Sequence, residues 1–516
     1  MHTYAGVIIP AVKREFFVLK LWFEGHEYRY AVEQMLSTLF PGEKPLYLED
    51  GPDGDGMKIV LRKGKVYTTA SCVWHRGQEV FRGRSAVRSA LLTDSTQTDR
   101  FCQFAIKNAV YRAVLASGIG RPPWGALTGV RPGKIMHGII EQSADREQAV
   151  ARFMKEYDVT EARAQLCYET SMCTHVARES LKDSDICLYV GIPFCPTRCA
   201  YCSFVSQSVE KSMKLIEPFL EALEKEIKAT AQRVRECALR PVSIYMGGGT
   251  PTTLSASQLD RLCTLLEEEF DLSAVKEYCV EAGRPDTITE EKLETLKKHG
   301  VNRISVNPQT MDDGVLEAIG RRHTAQDICT AMEKARKIGG FAINMDIIAG
   351  LPTDTPEGFE QTIRRVLALE PENITVHTLS LKRGSGLMTG GEEIPSAAEV
   401  AKMLDGAYAM LREKRYLPYY LYRQKNMSGG FENTGWTANG FANLYNICMM
   451  EEICGILAMG GGGSTKLIRP EGGRNLRITA PKYPLEYIEQ IEKTCADKEK
   501  ITLFYTAEDK TEQNNG

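Results

Sequence analysis

The chain has no run of about eighteen consecutive apolar residues, so no membrane-spanning helix is expected. It also has almost no charge surplus, because 64 Lys and Arg stand against 67 Asp and Glu, a net charge of −3 at pH 7. Without a basic excess, we expect no nucleic-acid partner. A secretory signal is missing as well, since Lys13, Arg14 and Glu15 interrupt the early apolar run. The expected location is therefore cytoplasmic.

Disulfide bonds are a further expected absence. The 15 cysteines are odd in number and scattered along 516 residues, which favours a reduced cytosolic chain over a disulfide framework. A hydrophobic content of 43% and a charged content of 25% are typical of a globular protein. The length exceeds that of one ordinary core, so several domains are expected.

The first 180 residues predict two regions without obvious chemistry. Residues 1–90 have the pattern of a small α+β domain, with strands over 5–12 and 16–23, a helix over 28–39 and a hairpin formed by 57–62 and 65–71. Residues 91–180 predict a mostly helical connector.

Residues 181–415 alternate between strand and helix patterns. Predicted strands cover 187–190, 242–246, 277–281, 303–306, 342–348 and 374–379, and predicted helices lie near 212–236, 256–270, 289–299, 324–338 and 356–369. Six such units predict an α/β domain with a parallel sheet, whereas a closed eight-fold barrel would need two more. Ligands of such folds bind beyond the carboxyl ends of the strands, so the residues after each strand are candidates.

Three cysteines follow the first of these strands. Cys195, Cys199 and Cys202 have the spacing C-x3-C-x2-C on a predicted loop. A structural zinc ion normally takes four protein ligands, and no fourth Cys or His is adjacent in the sequence. A [4Fe–4S] cluster fits three thiolates better, because it leaves one iron open for another ligand. Inert buried cysteines are the remaining interpretation.

Other candidates follow the next strands. Three consecutive glycines, 247–249, precede Thr250 and let backbone groups approach a ligand closely. Glu281 ends the third strand, and its carboxylate suits an ammonium group. Asp346 is an acid inside an apolar strand, and a buried Asp is unfavourable unless it is paired or bound to a ligand.

The string Y-x-x-I-P-F-C-x3-C-x-Y-C, residues 189–202, resembles the oxygen-independent coproporphyrinogen III oxidase family of radical S-adenosylmethionine (SAM) enzymes. The strings EAGRPD and YYLYRQKNM are most similar to its coproporphyrinogen dehydrogenase (HemZ-type) subgroup. The resemblance covers about residues 180–487. It implies an open (β/α)6 partial barrel over 181–415, a [4Fe–4S] cluster and bound SAM.

The resemblance also assigns roles to individual residues. It implies that Cys195, Cys199 and Cys202 hold the cluster and that Tyr189 belongs to the catalytic set. It implies SAM contacts from Tyr189, Tyr201, Gly248, Gly249, Thr250, Glu281, Gln309, Arg321, Asp346 and Ser380. The residue types agree, since acidic and glycine-loop groups suit the amino group of SAM and an arginine suits its carboxylate.

Residues 416–516 predict an α+β region that covers the substrate. Arg423 and Lys425 lie among several tyrosines, and aromatic faces beside cations suit a flat ring that carries carboxylates. We therefore expect these two side chains to bind the propionates of a tetrapyrrole. Gly460–Gly463 with Ser464, Thr465 and Lys466 is not a P-loop, because the order of residues is wrong.

The activity that the resemblance implies is the decarboxylation of coproporphyrinogen III propionates to vinyl groups, in haem biosynthesis. A cytosolic one-electron donor such as flavodoxin or ferredoxin is implied as well. Two positions depart from the family pattern. Phe204 stands where some members have a further cysteine, and Gly191 stands where many relatives have His.

Three other functions stay open at this point. A haem-binding chaperone of the same superfamily is disfavoured, because its His-Asn-x-x-Tyr-Trp string is replaced here by residues 445–450, YNICMM. An anaerobic haem-modifying radical SAM enzyme would share the same motifs. A structural zinc protein is the alternative from another class.

Overall fold

The computed structural model describes residues 19–40, 43, 45–49, 51, 54–129, 131–202, 207–208, 212–380, 393–424, 428–469 and 475–506. The chain divides into two compact units. Unit 1 comprises Met1–Tyr168, Ser396–Ala401 and Arg423–Phe431, and unit 2 comprises Glu169–Pro395, Lys402–Tyr422 and Glu432–Gly516. Among the described residues, no helix is both long and apolar enough to span a membrane.

Unit 1 contains a five-stranded sheet in the order β2-β1-β3-β4-β5. Its elements are β1 Lys20–Glu24, α1 Arg29–Leu39, β2 Leu46–Tyr47, β3 Gly56–Lys63, β4 Tyr67–Arg76, β5 Glu79–Arg88, α2 Ser95–Ala116, α3 Pro132–Ile140 and α4 Arg146–Tyr157. Helix α2 buries one face, including Cys102 and Ile106, in the same core as Met57 and Trp74 of the sheet. The core of this unit therefore includes residues on both sides of position 90.

The rest of the chain supplies the larger sheet, a separate two-stranded sheet formed by Phe194–Cys195 and Gln207–Ser208, and the remaining helices. They are α5 Glu161–Glu179, β6 Asp185–Ile192, β7 Phe194–Cys195, β8 Gln207–Ser208, α6 Ile216–Glu236, β9 Arg240–Gly248, α7 Ala256–Glu269, β10 Glu277–Glu281, α8 Glu290–Lys298, β11 Arg303–Ser305, α9 Asp313–Ala318, α10 Ala325–Ile338, β12 Ala342–Ala349, α11 Pro356–Ala368, β13 Asn373–Thr378, α12 Ala397–Glu413, β14 Leu417–Arg423, β15 Glu432–Thr437, α13 Leu444–Glu451, β16 Gly455–Gly460, β17 Ser464–Leu467, β18 Leu476–Thr479, α14 Pro484–Glu489, α15 Ile491–Ala496 and α16 Glu499–Thr506.

The larger sheet is open, with the order β14-β15-β13-β12-β11-β10-β9-β6-β16-β17-β18. Strands β6 and β9 to β13 pair in parallel with their neighbours, as expected for six β/α units. Strand β16 adds a further parallel strand beside β6, and β15 pairs antiparallel with β13. The predicted α/β partial (β/α)6 barrel is confirmed. The strands of its six β/α units have their carboxyl ends at the same edge of the sheet.

The helices begin where the sequence provides caps. Ser255 forms a capping box with Gln258 before α7, and Thr324 forms one with Asp327 before α10. Each box satisfies backbone N–H groups that the first helical turn leaves unpaired. These caps fix where the strand-end loops stop, and so they limit how far the site loops can extend.

Most predicted elements are present, with small differences. The hairpin of β3 and β4 is confirmed, but its antiparallel continuation into β5 was not predicted. Near the end of the chain, residues 484–496 form two short helices, α14 and α15. The predicted strand over 5–12 lies outside the described residues. The division of the chain at residues 90, 180 and 415 stays a prediction.

Candidate active site

The cysteine loop leaves the carboxyl end of β6. Cys195, Cys199 and Cys202 are all half-buried, and the backbone N–H of Cys202 donates to the carbonyl of Cys199 over 3.2 Å. Thr250 Oγ1 donates to Cys195 Sγ over 3.5 Å. The three thiols therefore lie on a turn that keeps them within reach of solvent, as ligands of an inserted cluster require.

Arg284 brings a positive charge to this loop. Its Nη1 lies 3.9 Å from Cys199 Sγ and donates to Thr197 Oγ1 over 2.9 Å. Asp286 holds the opposite edge of the guanidinium with two 3.0 Å hydrogen bonds. Arg284 was not predicted from the sequence, although its position after a strand end, within EAGRPD, was a usable signal.

The glycine loop is bound directly to the strand that precedes the cysteines. Gly249 N–H donates to Ile192 O over 2.8 Å, and Thr250 N–H donates to Phe194 O over 2.7 Å. A Cβ on Gly249 would lie 2.4 Å from Phe194 O, which no side chain can occupy. Glycine is required here because two backbone segments touch.

Glu281 lies at the end of β10 beside this loop. Tyr245 donates its hydroxyl proton to Glu281 Oε1 over 2.6 Å. The pKa of Glu281 is raised to about 7, chiefly by burial and also by the neighbouring Asp346, although the hydrogen bonds from Tyr245 and Gly248 oppose the rise. A carboxylate in this environment gains from a cationic ligand, since the cation offsets the loss of water.

Three tyrosines stack under the glycine loop. Tyr245 and Tyr445 have ring centroids 4.4 Å apart, and Tyr189 stacks on both at 6.3 Å and 6.2 Å. Glu277 fixes the start of α13, because its carboxylate accepts from the backbone N–H groups of Leu444 and Tyr445, each over 3.1 Å. Tyr189 was predicted from the sequence, whereas Tyr245 and Tyr445 were not.

Arg321 is buried and contacts the cysteine loop. Its Nη2 donates to the Tyr201 hydroxyl over 2.9 Å, and its Nη1 donates to the carbonyls of Gly283 and Asn307 over 3.2 and 3.1 Å. Its Nε has no hydrogen-bond partner among the described residues. The spare donor is available to an anionic group.

Asn307 connects Arg321 to Asp346, and Gln309 contacts the same aspartate. The side-chain oxygen of Asn307 accepts from Asp346 N–H over 3.1 Å, and Gln309 N–H donates to Asp346 O over 2.9 Å. Gln309 has φ +67°, a left-handed conformation that non-glycine residues rarely adopt. Such strain persists where the surroundings enforce it, and it is frequent at functional sites.

The carboxylate of Asp346 is paired within the protein. Asn344 Nδ2 donates to Oδ1 over 2.8 Å, and His377 Nε2 lies 3.7 Å from the same oxygen. Burial disfavours the charged form, but His377, Asn344 and Thr375 outweigh it and lower the pKa of Asp346. The expectation that this acid must be paired is met by partners that the sequence did not reveal.

The remaining predicted residues are placed differently. Ser380 follows β13 at the same edge of the sheet. Arg423 belongs to unit 1, where it is buried and donates to the carbonyls of Leu127, Gly129 and Gly430 and lies over the Trp124 ring. These contacts give Arg423 a structural role within unit 1. Lys425 lies outside the described residues.

Gly191, where the family pattern often has His, is packed against backbone. A Cβ on Gly191 would lie 2.8 Å from Gly461 O, and one on Gly460 would lie 2.2 Å from Gly191 O. The glycine-rich loop after β16 therefore rests directly on β6. Glu226 of α6 holds this loop, because its Oε2 accepts from Gly460 N–H over 2.7 Å.

The residues present fit a [4Fe–4S] cluster with SAM. The donor set is three half-buried thiols beside an arginine, which suits an anionic cluster of soft sulfur ligation. The spare Nε of Arg321 and the acid Glu281 complement the two charges of an amino acid. The sequence-predicted residues from Tyr189 to Asp346 are brought to one edge of the sheet, linked by Tyr245, Arg284 and Asn307.

Comparison with known proteins supports this interpretation of the site. Residues 189–366 match the family described as the radical SAM superfamily. The chain is 38% identical over 415 residues to the oxygen-independent coproporphyrinogen-III oxidase-like protein HemZ of Bacillus subtilis, covering 78% of this chain and 82% of that protein. It is 38% identical over 192 residues to the heme chaperone HemW of the same organism, covering 37% of this chain and 49% of HemW.

A solved structure is also similar. The structure of the coproporphyrinogen III oxidase HemN from Escherichia coli, a radical SAM enzyme, aligns with a TM-score of 0.49 and 23% identity over 63% of this chain and 73% of its own. Fold and cysteine loop together define the class as a radical SAM protein, whose cofactors are a [4Fe–4S] cluster and SAM. Within that class, the chain belongs to the oxygen-independent coproporphyrinogen III oxidase-like family that includes HemZ and HemW.

Proposed function

We propose that this protein decarboxylates propionate side chains of coproporphyrinogen III to vinyl groups without oxygen, giving protoporphyrinogen IX. The observation that carries the proposal is the similarity to HemZ over 82% of that protein's length, together with the strand-edge site that the same residues form. The relative is named only as oxidase-like, so the substrate is part of the proposal.

The position of Tyr445 supports a catalytic over a chaperone function. In the haem chaperones, a His-containing string stands before the glycine-rich loop. Here, that place is Tyr445, which is buried in the tyrosine stack, followed by Asn446 at hydrogen-bond distance from Tyr419. The described residues 445–450 thus provide no imidazole for haem iron.

The reaction must balance atoms and electrons. Each propionate –CH2–CH2–COO⁻ loses one hydrogen atom, one electron and carbon dioxide, and a –CH=CH2 group remains. When bound, the cluster and SAM supply the radical that removes the hydrogen atom, and a one-electron acceptor takes the electron. The protein supplies binding, orientation and exclusion of water.

Individual side chains have distinct tasks in this scheme. Cys195, Cys199 and Cys202 would hold the cluster, and Arg284 would offset its negative charge. The Glu281 carboxylate would accept a hydrogen bond from the ammonium group of SAM. Arg321 would donate a hydrogen bond from Nε to the carboxylate of SAM. Gln309 and Asp346 would position the ribose, with Asp346 kept ionised by His377.

The test is an anaerobic turnover assay. The protein is reconstituted with iron and sulfide and given SAM, a reductant, an electron acceptor and coproporphyrinogen III, and the tetrapyrroles are separated by chromatography. We expect monovinyl and divinyl products that disappear in Cys195→Ala and persist in Cys263→Ala, a buried cysteine of α7. Release of 5′-deoxyadenosine with no vinyl product would contradict coproporphyrinogen III as the substrate. It would favour another tetrapyrrole substrate, and haem would be the first to test.

The haem chaperone is the second candidate, favoured by the 38% identity to HemW over 192 residues. It predicts stoichiometric haem binding and transfer to an acceptor apoprotein without any change in the porphyrin. Titration with haem, followed by its absorbance, distinguishes the two functions, because a decarboxylase does not need to transfer haem.

A further inference from the structure

Three other cysteines meet in the interior of unit 2. Cys187 lies on β6, Cys448 on α13, and Cys454 immediately precedes β16. Their Sγ atoms all lie within 4.8 Å of one another, and the Cys187 and Cys454 sulfurs are 3.6 Å apart. All three are buried, and they share a core with Tyr189 and Tyr445. The trio contains none of the cysteines of the cluster loop.

The spacing of these sulfurs suits one metal ion. Three sulfurs bound to one ion at about 2.3 Å lie roughly 4.0 Å apart in a trigonal plane. The Cys187–Cys454 separation of 3.6 Å and the upper limit of 4.8 Å for all three pairs are compatible with this value. An iron–sulfur cluster places each thiolate on a separate iron and so spreads the sulfurs farther than a single ion does.

The chemistry of the trio selects the kind of ion. Among the described residues, no fourth His, Cys, Asp or Glu joins the trio within the same 4.8 Å, whereas structural zinc normally takes four protein ligands. Soft thiolates in a low coordination number favour Cu(I).

We propose that Cys187, Cys448 and Cys454 form a buried three-thiolate site for a single Cu(I) ion, separate from the cluster loop. The ion would join α13 and the start of β16 to β6. Because Tyr445 and Cys448 are three residues apart on α13, and Tyr189 and Cys187 are two apart on β6, the same two elements carry the tyrosine stack and the metal ligands. The site would therefore fix the stack beneath the SAM residues.

The experiment measures Cu(I) binding in a chain that lacks the cluster ligands. In the Cys195→Ala/Cys199→Ala/Cys202→Ala protein, kept anaerobic, Cu(I) is titrated against a chromophoric Cu(I) chelator. We expect one equivalent to be held against the chelator, to be lost when Cys448→Ala is added, and to persist when Cys263→Ala is added instead. The proposal is overturned if the protein retains the same amount of Cu(I) with and without Cys448→Ala, or if it retains no Cu(I) at all.

Two further measurements keep the result independent of folding and of the cation chosen. X-ray absorption of the Cu(I)-loaded protein that lacks the cluster ligands but keeps Cys187, Cys448 and Cys454 should show three sulfur ligands at about 2.3 Å. This measurement does not use the Cys448→Ala variant, so misfolding of that variant cannot affect it. Binding of one Zn(II) ion but no Cu(I) contradicts the proposed cation. The outcome does not depend on turnover, so it stands apart from the proposed decarboxylation.

Discussion

The hydroxyl of Tyr245 and the carboxylate of Glu281 are 2.6 Å apart, and the hydroxyl donates to Oε1. Tyr245 thus favours the charged form of an acid that burial pushes towards neutrality. Because the pKa of Glu281 is raised to about 7, its charge changes near neutral pH.

This predicts a pH dependence of SAM binding. The ammonium group of SAM needs the carboxylate form, so affinity should increase as pH rises through about 7. In Tyr245→Phe the pKa of Glu281 should rise, and the midpoint should move to higher pH. Calorimetric titration of the reconstituted protein with SAM from pH 6 to 9 measures this, and an unchanged midpoint in Tyr245→Phe would contradict it.

The same carboxyl group affects stability with the opposite sign. The folded-state pKa lies above the ordinary value of 4.5, so between these values the native state holds a proton that the unfolded state has released. The contribution of Glu281 to stability therefore falls as pH rises from 4.5 through about 7. Denaturant unfolding of Glu281→Gln should lack this part of the pH dependence, while the wild-type chain should retain it.

Gly249→Ala should destabilise the cysteine loop. The new Cβ would lie 2.4 Å from Phe194 O, and backbone cannot move aside as a flexible side chain can. Overpacking of this kind costs about 1–3 kcal/mol. We expect lower thermal stability and less iron per chain after reconstitution. Gly406→Ala is the matched control, because nothing lies within 4 Å of its Cβ and helix α12 should gain stability.

Removing the buried ion pair of Glu226 and Lys498 should loosen the glycine-rich loop after β16. Lys498 Nζ lies 2.7 Å from Glu226 Oε1, and Tyr487 and Gly460 N–H donate to the other oxygen. Lys498→Met leaves a buried charge without its partner, which costs about 3–5 kcal/mol. Denaturant unfolding measures this loss.

The double variant Glu226→Gln/Lys498→Met should recover part of that stability, because it leaves no uncompensated charge. Lys225→Ala, in the exposed pair with Glu492, should leave the unfolding midpoint unchanged. If the double variant lost as much free energy of unfolding as Glu226→Gln and Lys498→Met lose together, the two residues would not interact.

Arg284→Gln should make the cluster harder to reduce. The guanidinium lies 3.9 Å from Cys199 Sγ, and a positive charge there stabilises the more negative, reduced state. We expect the reduction potential to become more negative, while Arg284→Lys should retain much of the wild-type value. Redox titration followed by electron paramagnetic resonance measures both, and a Gln variant with the wild-type potential would exclude the electrostatic role.

The parallel sheet was predictable because its strands are short, mostly apolar runs, each followed by a helical pattern. The cysteine loop, Gly249 and Glu281 were predictable because each follows such a strand. Tyr445 was not, since it comes from α13, far along the chain, and reaches the site through contacts with distant strands, among them Glu277 of β10 and the ring of Tyr189 on β6. For Arg423, the residue type suggested a contact with a ligand, whereas in the structure its guanidinium donates to backbone carbonyls. Local patterns do not report contacts between distant segments.

The contact between Gly191 and Gly460 also sets a rule for engineering this protein. Two bare backbones meet there, so neither strand can be exchanged for a relative's version with a side chain at that point unless the other changes too. A chimera in which β6 is replaced by a relative's strand with His in place of Gly191 should therefore fold only if the glycine-rich loop after β16 is taken from the same relative. In this respect, β6 and the glycine-rich loop after β16 are a single replaceable part.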